Sequence, residues 1–157
     1  MESVSVAERI AIASDHAAIE LKAALVEHMR GNGQEVVDLG PGGADPVDYP
    51  DYGYKIAEAI ASGAATKGVA VCGSGIGISI AVNRHPAARA ALVSEPLSAR
   101  LAREHNDANV LAMGARLIGI AMAKECVDVF LSTPFGGDRH LHRVQKLSNP
   151  NFSKEPA

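Results

Sequence analysis

Short runs of β-branched and small apolar residues alternate along the chain with longer stretches in which apolar positions recur every three or four residues. The runs Arg9–Ala13, Glu35–Asp38, Gly68–Cys72, Ala88–Val93 and Asn109–Met113 are too short for core helices and predict five strands. Between them, Leu21, Leu25 and Met29 form one helical stripe, Ile56 and Ile60 a second, and Leu97 and Leu101 a third. Gly31 and Gly33 close the first of these helices, whereas Asp48 with Pro50, and Glu95 with Pro96, open the next two. Strands that alternate with helices at this spacing pair in parallel through right-handed crossovers, which covers both faces of the sheet. The expected fold is a doubly wound α/β three-layer sandwich with a five-stranded parallel sheet, flavodoxin-like order 2-1-3-4-5, and an extra C-terminal helix. One domain is expected over residues 1–157, with a loose tail at about 149–157 and no repeat or linker.

Composition narrows the partners. With 47% hydrophobic residues in 157, the chain can bury a substantial core of its own. A net charge of -3 and a pI near 6.0 supply no global basic field, so neither nucleic acid nor an anionic membrane surface is an expected partner. No apolar stretch approaches the roughly 20 residues of a membrane span. The opening MESVSVAERIAI lacks the basic region and apolar core of a secretory signal, which points to the cytoplasm. Cys72 and Cys126 lie far apart without the close Cys or His spacing of a zinc site, so no disulfide, metal or cofactor is expected. Cys126 falls in the helical stretch GIAMAKECVDVFL and reads as a packing residue.

Chemistry concentrates where strands end. In an open parallel sheet the ligand crevice lies beyond the carboxyl ends of the strands at the reversal of strand order, here between the first and third. The first strand exits into Ser14-Asp15-His16 and the third into Cys72-Gly73-Ser74-Gly75, which makes these distant segments neighbours in space. The glycines at 73, 75 and 77 do not match the dinucleotide fingerprint G-x-G-x-x-G, because Ile78 stands where its third glycine belongs and the motif follows the third strand. Glu95, about 20 residues on, is a partial match to the acid that binds ribose in such sites. A plain strand-to-helix turn would explain the glycines but leave Cys72 and Ser74 unused.

Proton abstraction beside a carbonyl uses all of them. Backbone N–H groups at a helix start are oriented in advance to stabilise an oxyanion. A thiol placed there can have its pKa drawn below about 8.5 and serve as a general base, moving a proton between two carbons. The Ser74 hydroxyl both donates and accepts, so it can move the matching proton between two oxygens. An aldose and a ketose differ by these two transfers. Toward the end, GGDRHLHRVQKL places Arg139 and Arg143 four apart, on one face of a helix, with Leu141, Val144 and Leu147 as a separate apolar stripe. Two guanidinium forks can clamp one phosphate, although paired arginines also occur on plain solvated faces. His28 and His85 read as surface or packing residues, and His142 has no assigned role.

The segments Asp15-His16, Asp48-Tyr49-Pro50, CGSGIGISIAVNR from Cys72, SEP from Ser94, REHNDANVLAMGAR from Arg103 and GGDRHLHRV from Gly136 together resemble the ribose-5-phosphate isomerase type B family. That family also contains galactose- and allose-6-phosphate isomerases, and the resemblance runs from about Arg9 to Leu147. It implies Cys72 as the base for the carbon-bound proton and Ser74 as the group for the oxygen-bound one. The amides of Gly73, Gly75 and Gly77 would surround the enediolate. Asp15 and His105 would open the furanose ring, Tyr49 and Asn106 would line the pocket, and His16, Arg116, Arg139 and Arg143 would surround the phosphate. No metal is implied. Ser74 stands where many members have threonine, Arg84 where lysine is frequent and Ala18 where glycine is frequent. A branch without the cysteine uses a glutamate at the position of Ile78, so this chain groups with the thiol-dependent members.

The resemblance thus implies an isomerase of ribose 5-phosphate and ribulose 5-phosphate, acting through a cis-enediol. The alternatives are an isomerase of a hexose 6-phosphate, allose or galactose in type, and a non-catalytic α/β nucleotide-binding module. One geometric point concerns assembly. The helix that begins near Glu95 runs back along the sheet and, at 1.5 Å per residue, carries His105 roughly 15 Å away from the strand ends. His105 also continues the Leu97 and Leu101 stripe, as a packed histidine would. If His105 and the arginines serve the same sugar phosphate as Cys72, a second subunit must present them, so a homodimer or larger homo-oligomer with a shared site is expected.

Overall fold

The computed structural model describes residues 8–156, and the residues on which the reading of a signal-free start mainly rests lie outside them. Strand β1 (Arg9–Ser14) leads through a 3-10 turn (His16–Ala18) into α1 (Ile19–Gly31), followed by β2 (Glu35–Asp38) and α2 (Tyr49–Ala61). Next come β3 (Lys67–Cys72), α3 (Ile76–Val82), β4 (Ala90–Leu92), α4 (Pro96–Asn106) and β5 (Val110–Gly114). The chain ends with α5 (Ile120–Ser132), a 3-10 turn (Asp138–His140) and α6 (Leu141–Ser148). Expected helix signals fall where the physics places them: Asp48 precedes α2 with Pro50 in its first turn, and Gly33 takes a φ of 83° just past α1. Glu95 is the N-cap of α4, its carboxylate accepting the N–H groups of Leu97 at 2.7 Å and Ser98 at 2.9 Å. These hydrogen bonds, with the Ser98 hydroxyl foremost, hold that carboxyl below its usual range. Its acid therefore caps a helix.

All five strands are parallel, in the order β2-β1-β3-β5-β4. The sheet is the expected flavodoxin-like sandwich with its last two strands exchanged. The reason lies in burial: every residue of β5 is buried, as a strand with neighbours on both edges requires, whereas the three residues of β4 are partly or fully exposed. An edge suits the shorter, wetter strand. The reversal between β1 and β3 stands, and with it the expected crevice.

Helices α1, α4 and α5 cover one face around Leu25, Met29, Leu111, Met113 and Phe130, while α2 and α3 cover the other around Ile56, Ile78, Val82 and Val110. Burying a side chain of this size contributes about 1.5–3 kcal/mol, which is where the helices gain their stability. Helix α4 departs from its predicted stripe. Its core face is Ala99, Ala102 and the buried Arg103, while Leu97 is 53% exposed and Leu101 only partly covered. Small residues let α4 approach closely, and the leucines are turned outward. Residues 149–156 are exposed, and among the described residues no helix is long and apolar enough to cross a membrane.

Candidate active site

At the carboxyl edge of the sheet, β1 and β3 run side by side, with Ser14 opposite Val71. Beyond them, a cleft of about 540 Å³ is lined by Asp15, His16, Tyr49, Cys72, Gly73, Ser74, Gly77 and Arg116. Segments separated by more than fifty positions meet here because the strand order reverses between them. Asp15 closes the 3-10 turn: its carboxylate accepts the Ala17 N–H at 3.0 Å, and its own N–H donates to the Val71 carbonyl at 3.2 Å. Val47 meets His16 through its backbone, with N–H and carbonyl at 3.1 and 3.2 Å from Nδ1, so the loop between β2 and α2 fixes that ring.

The glycine loop wraps the thiol. The Gly75 N–H donates to Cys72 Sγ at 3.1 Å, and the Ile76 N–H donates to Ser74 Oγ at 3.2 Å. Among the described residues no protein acceptor takes the N–H groups of Gly73, Ser74 or Gly77, which leaves three donors at the mouth of α3. Such donors suit an oxyanion. Gly75 has a φ of 77°, and a Cβ there would lie 2.6 Å from the Met113 carbonyl carbon. Facing it, a Cβ on Gly114 would lie 2.5 Å from the Ser74 backbone. The two glycines interlock the loop with the end of β5. Gly114→Ala is expected to lower kcat at least about tenfold by displacing Ser74, and to cost about 1–3 kcal/mol by overpacking. Unchanged kcat in that variant would show that the interlock does not position the loop.

Cys126 is the contrasting thiol. It is fully buried on the inner face of α5, and burial, followed by Glu95 and Glu125, pushes it up to about 11, as befits a packing residue.

His105, Asn106, Arg139 and Arg143 are not in the cleft. His105 and Arg139 line a separate cavity of about 470 Å³ with Glu104, Phe135, Gly136 and His140. Asn106 and Arg143 are exposed beside it in the chain. Arg139 sits in the 3-10 turn and Arg143 in α6, so the pair straddles a junction between helix types. The cavity adjoins the end of α4, next to the start of β5, whereas Cys72 is paired with the last residue of that strand. At about 3.3 Å per strand residue, the two clusters stand roughly 15 Å apart. The residues expected to serve one sugar phosphate thus lie in two separate clusters of this chain.

The second cluster has supports that sequence reading missed. His140 stacks on His105 with ring centroids 4.5 Å apart and an 18° tilt. Partial removal from water, then the neighbouring His105, Arg139 and Arg143, outweigh Asp138 and hold His140 below the ordinary histidine range. Arg103 donates to the Thr133 carbonyl at 3.1 Å, to Asp107 Oδ1 at 2.9 Å and to the Ala108 carbonyl at 2.7 Å. It thereby holds the α4 terminus against the end of α5. Asp107, with a φ of 45°, makes the left-handed turn that follows Asn106. Of these, His140 had a signal in its place next to Arg139; Arg103 had none, since a charged residue in a helix ordinarily reads as solvated.

A thiol, a hydroxyl and unpaired backbone donors in one cleft are suited to an enzyme that moves protons beside a carbonyl. The chain belongs to the family described as Ribose/Galactose Isomerase, whose model matches residues 10–147. Ribose-5-phosphate isomerase B of Escherichia coli is 43% identical over 141 residues, covering 90% of this chain and 95% of the relative. D-erythrulose-4-phosphate isomerase of Pectobacterium atrosepticum is 39% identical over 140 residues, covering 88% and 91%. Among solved structures, a ribose 5-phosphate isomerase from Thermotoga maritima superposes with a TM-score of 0.88 at 50% identity, covering 90% of this chain and 97% of that one.

Proposed function

We propose that this protein interconverts ribose 5-phosphate and ribulose 5-phosphate in the cytoplasm, by proton transfer through a cis-enediolate and with side chains alone. The observation that carries the reading is Cys72 Sγ in the turn that leads into α3, held by the Gly75 N–H at 3.1 Å, with Ser74 beside it. Asp15 and His105 open the furanose. Cys72 as thiolate then takes the proton from C2, and charge develops on the carbonyl oxygen, where the N–H donors of Gly73, Ser74 and Gly77 stabilise it. Ser74 moves a proton between the two oxygens, and Cys72 returns its proton to C1. His16 and Arg116 receive the phosphate, and Tyr49 walls the pocket. The direct test is incubation with ribose 5-phosphate: ketose is expected with or without EDTA, and its absence would overturn the reading.

A hexose 6-phosphate is the second reading, favoured by the galactose in the family's description. Relatives named for pentose and tetrose phosphates show that sugar length varies among similar chains. Comparing kcat/KM across the three lengths decides between them.

The proposed unit is a homodimer in which His105, Asn106, Arg139 and Arg143 serve the partner's cleft. The separation of the two clusters supports it, as do the exposed apolar side chains Ile76, Ile80, Leu92 and Leu97 near the cleft and along α4. Arg139→Ala and Arg143→Ala are each expected to raise KM for ribose 5-phosphate by about tenfold, with little effect on turnover of unphosphorylated ribose. Equal losses on both sugars would assign the arginines a structural role.

A further inference from the structure

Lys22 is a charged side chain that none of the chemistry above uses, yet it is only 5% exposed. Its ammonium donates to Asp38 Oδ1 at 2.7 Å, to Asp38 Oδ2 at 2.9 Å and to the Pro41 carbonyl at 3.0 Å. All three of its donors are thus satisfied. A buried charge of this kind gives little net stability over an apolar residue of the same size, so its value lies in the geometry it imposes.

That geometry reaches the cleft in two directions. Asp38 Oδ1 also accepts the Gly40 N–H at 2.9 Å, and the Gly40 carbonyl accepts the Ser14 N–H at 3.1 Å, one residue before Asp15. From the buried Pro41 the chain runs through exposed residues 42–46 to Val47, which grips His16 Nδ1. It then reaches Tyr49, whose ring packs so closely on Gly77 that a Cβ there would lie 2.6 Å away. The loop is moored at both ends, and Lys22 is the cation at the first mooring.

We infer that Lys22 is a positioning residue: through Asp38 and Pro41 it fixes the 39–48 loop, which holds His16 and Tyr49 at the cleft and sets the length of sugar phosphate accepted. The inference rests on the proposed isomerase activity. It requires that loosening the mooring weaken substrate binding and length discrimination while the Cys72 thiol, at the end of β3 and held by the Gly75 N–H, remains as it is.

The test compares Lys22→Met, Lys22→Arg and Asp38→Asn with the wild type. Lys22→Met and Asp38→Asn are expected to raise KM for ribose 5-phosphate about tenfold while kcat changes less than about twofold. The preference in kcat/KM for ribose 5-phosphate over allose 6-phosphate is expected to narrow about threefold, since a loose wall discriminates less. Alkylation of Cys72 by iodoacetamide in the free protein should proceed at the wild-type rate, and Lys22→Arg should recover most of the lost affinity. If Lys22→Met does not fold, Asp38→Asn carries the test, because its carboxyl is partly exposed and the change keeps its shape. Unchanged KM and unchanged length preference in a folded variant would overturn the inference. So would a fall in kcat that tracks faster Cys72 alkylation, which would mark general loosening. A wild-type protein inactive on every sugar phosphate would overturn the functional reading first, and this inference with it.

Discussion

Cys72→Ala is expected to lower kcat for ribose 5-phosphate by about 10²- to 10⁴-fold while leaving KM nearly unchanged, the usual consequence of losing a general base. Asp15 Oδ1 accepts the Ala17 N–H and Ser74 Oγ accepts the Ile76 N–H, so neither atom stands where the thiol does, at the end of β3 under the Gly75 N–H. Alanine also removes the acceptor of the Gly75 N–H, which alone could loosen the loop. Cys72→Ser separates the two effects, since serine retains an acceptor without the acidity of a thiol. Both variants should be inactive, and serine should keep the wild-type melting temperature. Steady-state kinetics and a thermal melt of each check this, and near wild-type kcat in either would remove Cys72 from its role.

Mixing two inactive proteins should restore activity. Cys72→Ala lacks the base and His105→Ala the proposed ring-opening group, but a mixed dimer contains one site with both residues intact. Under random exchange half of the dimers are mixed and each has one working site, so about a quarter of wild-type activity is expected. Exchange is followed by native mass spectrometry while ketose formation is measured. Mixed dimers without activity would place His105 and Cys72 in the same subunit's function, against the shared site.

Most of the fold was legible because local patterning and global packing agree. Glu35–Asp38 is read as a strand and is one, since a turn with Gly33 precedes it and Val36 packs into the core. The order of the last two strands was not legible. The runs around Ala90 and Val110 are similarly apolar, and which one is central depends on burial of both faces, a property of the assembled sheet. Helix α4 misled for a related reason: periodicity equates leucine with the core, whereas Ala99 and Ala102 face inward and Leu97 faces out. For the candidate site, topology alone predicted that Asp15 and Cys72 share a cleft, and helix direction alone predicted that His105 does not. The close approach of Gly75 to Met113 and of Gly114 to Ser74 could not be read from the chain, because it joins segments about forty residues apart and leaves no periodic trace.

The most direct test of the isomerase reading is proton NMR of ribose 5-phosphate turned over in D₂O. Conversion to ribulose 5-phosphate with solvent deuterium at C1 is expected, because a proton held on the Cys72 sulfur can exchange before it is returned, and Cys72→Ala should abolish both signals. No ketose from the wild-type protein, or ketose formed equally fast by Cys72→Ala, would contradict proton transfer through an enediolate at Cys72.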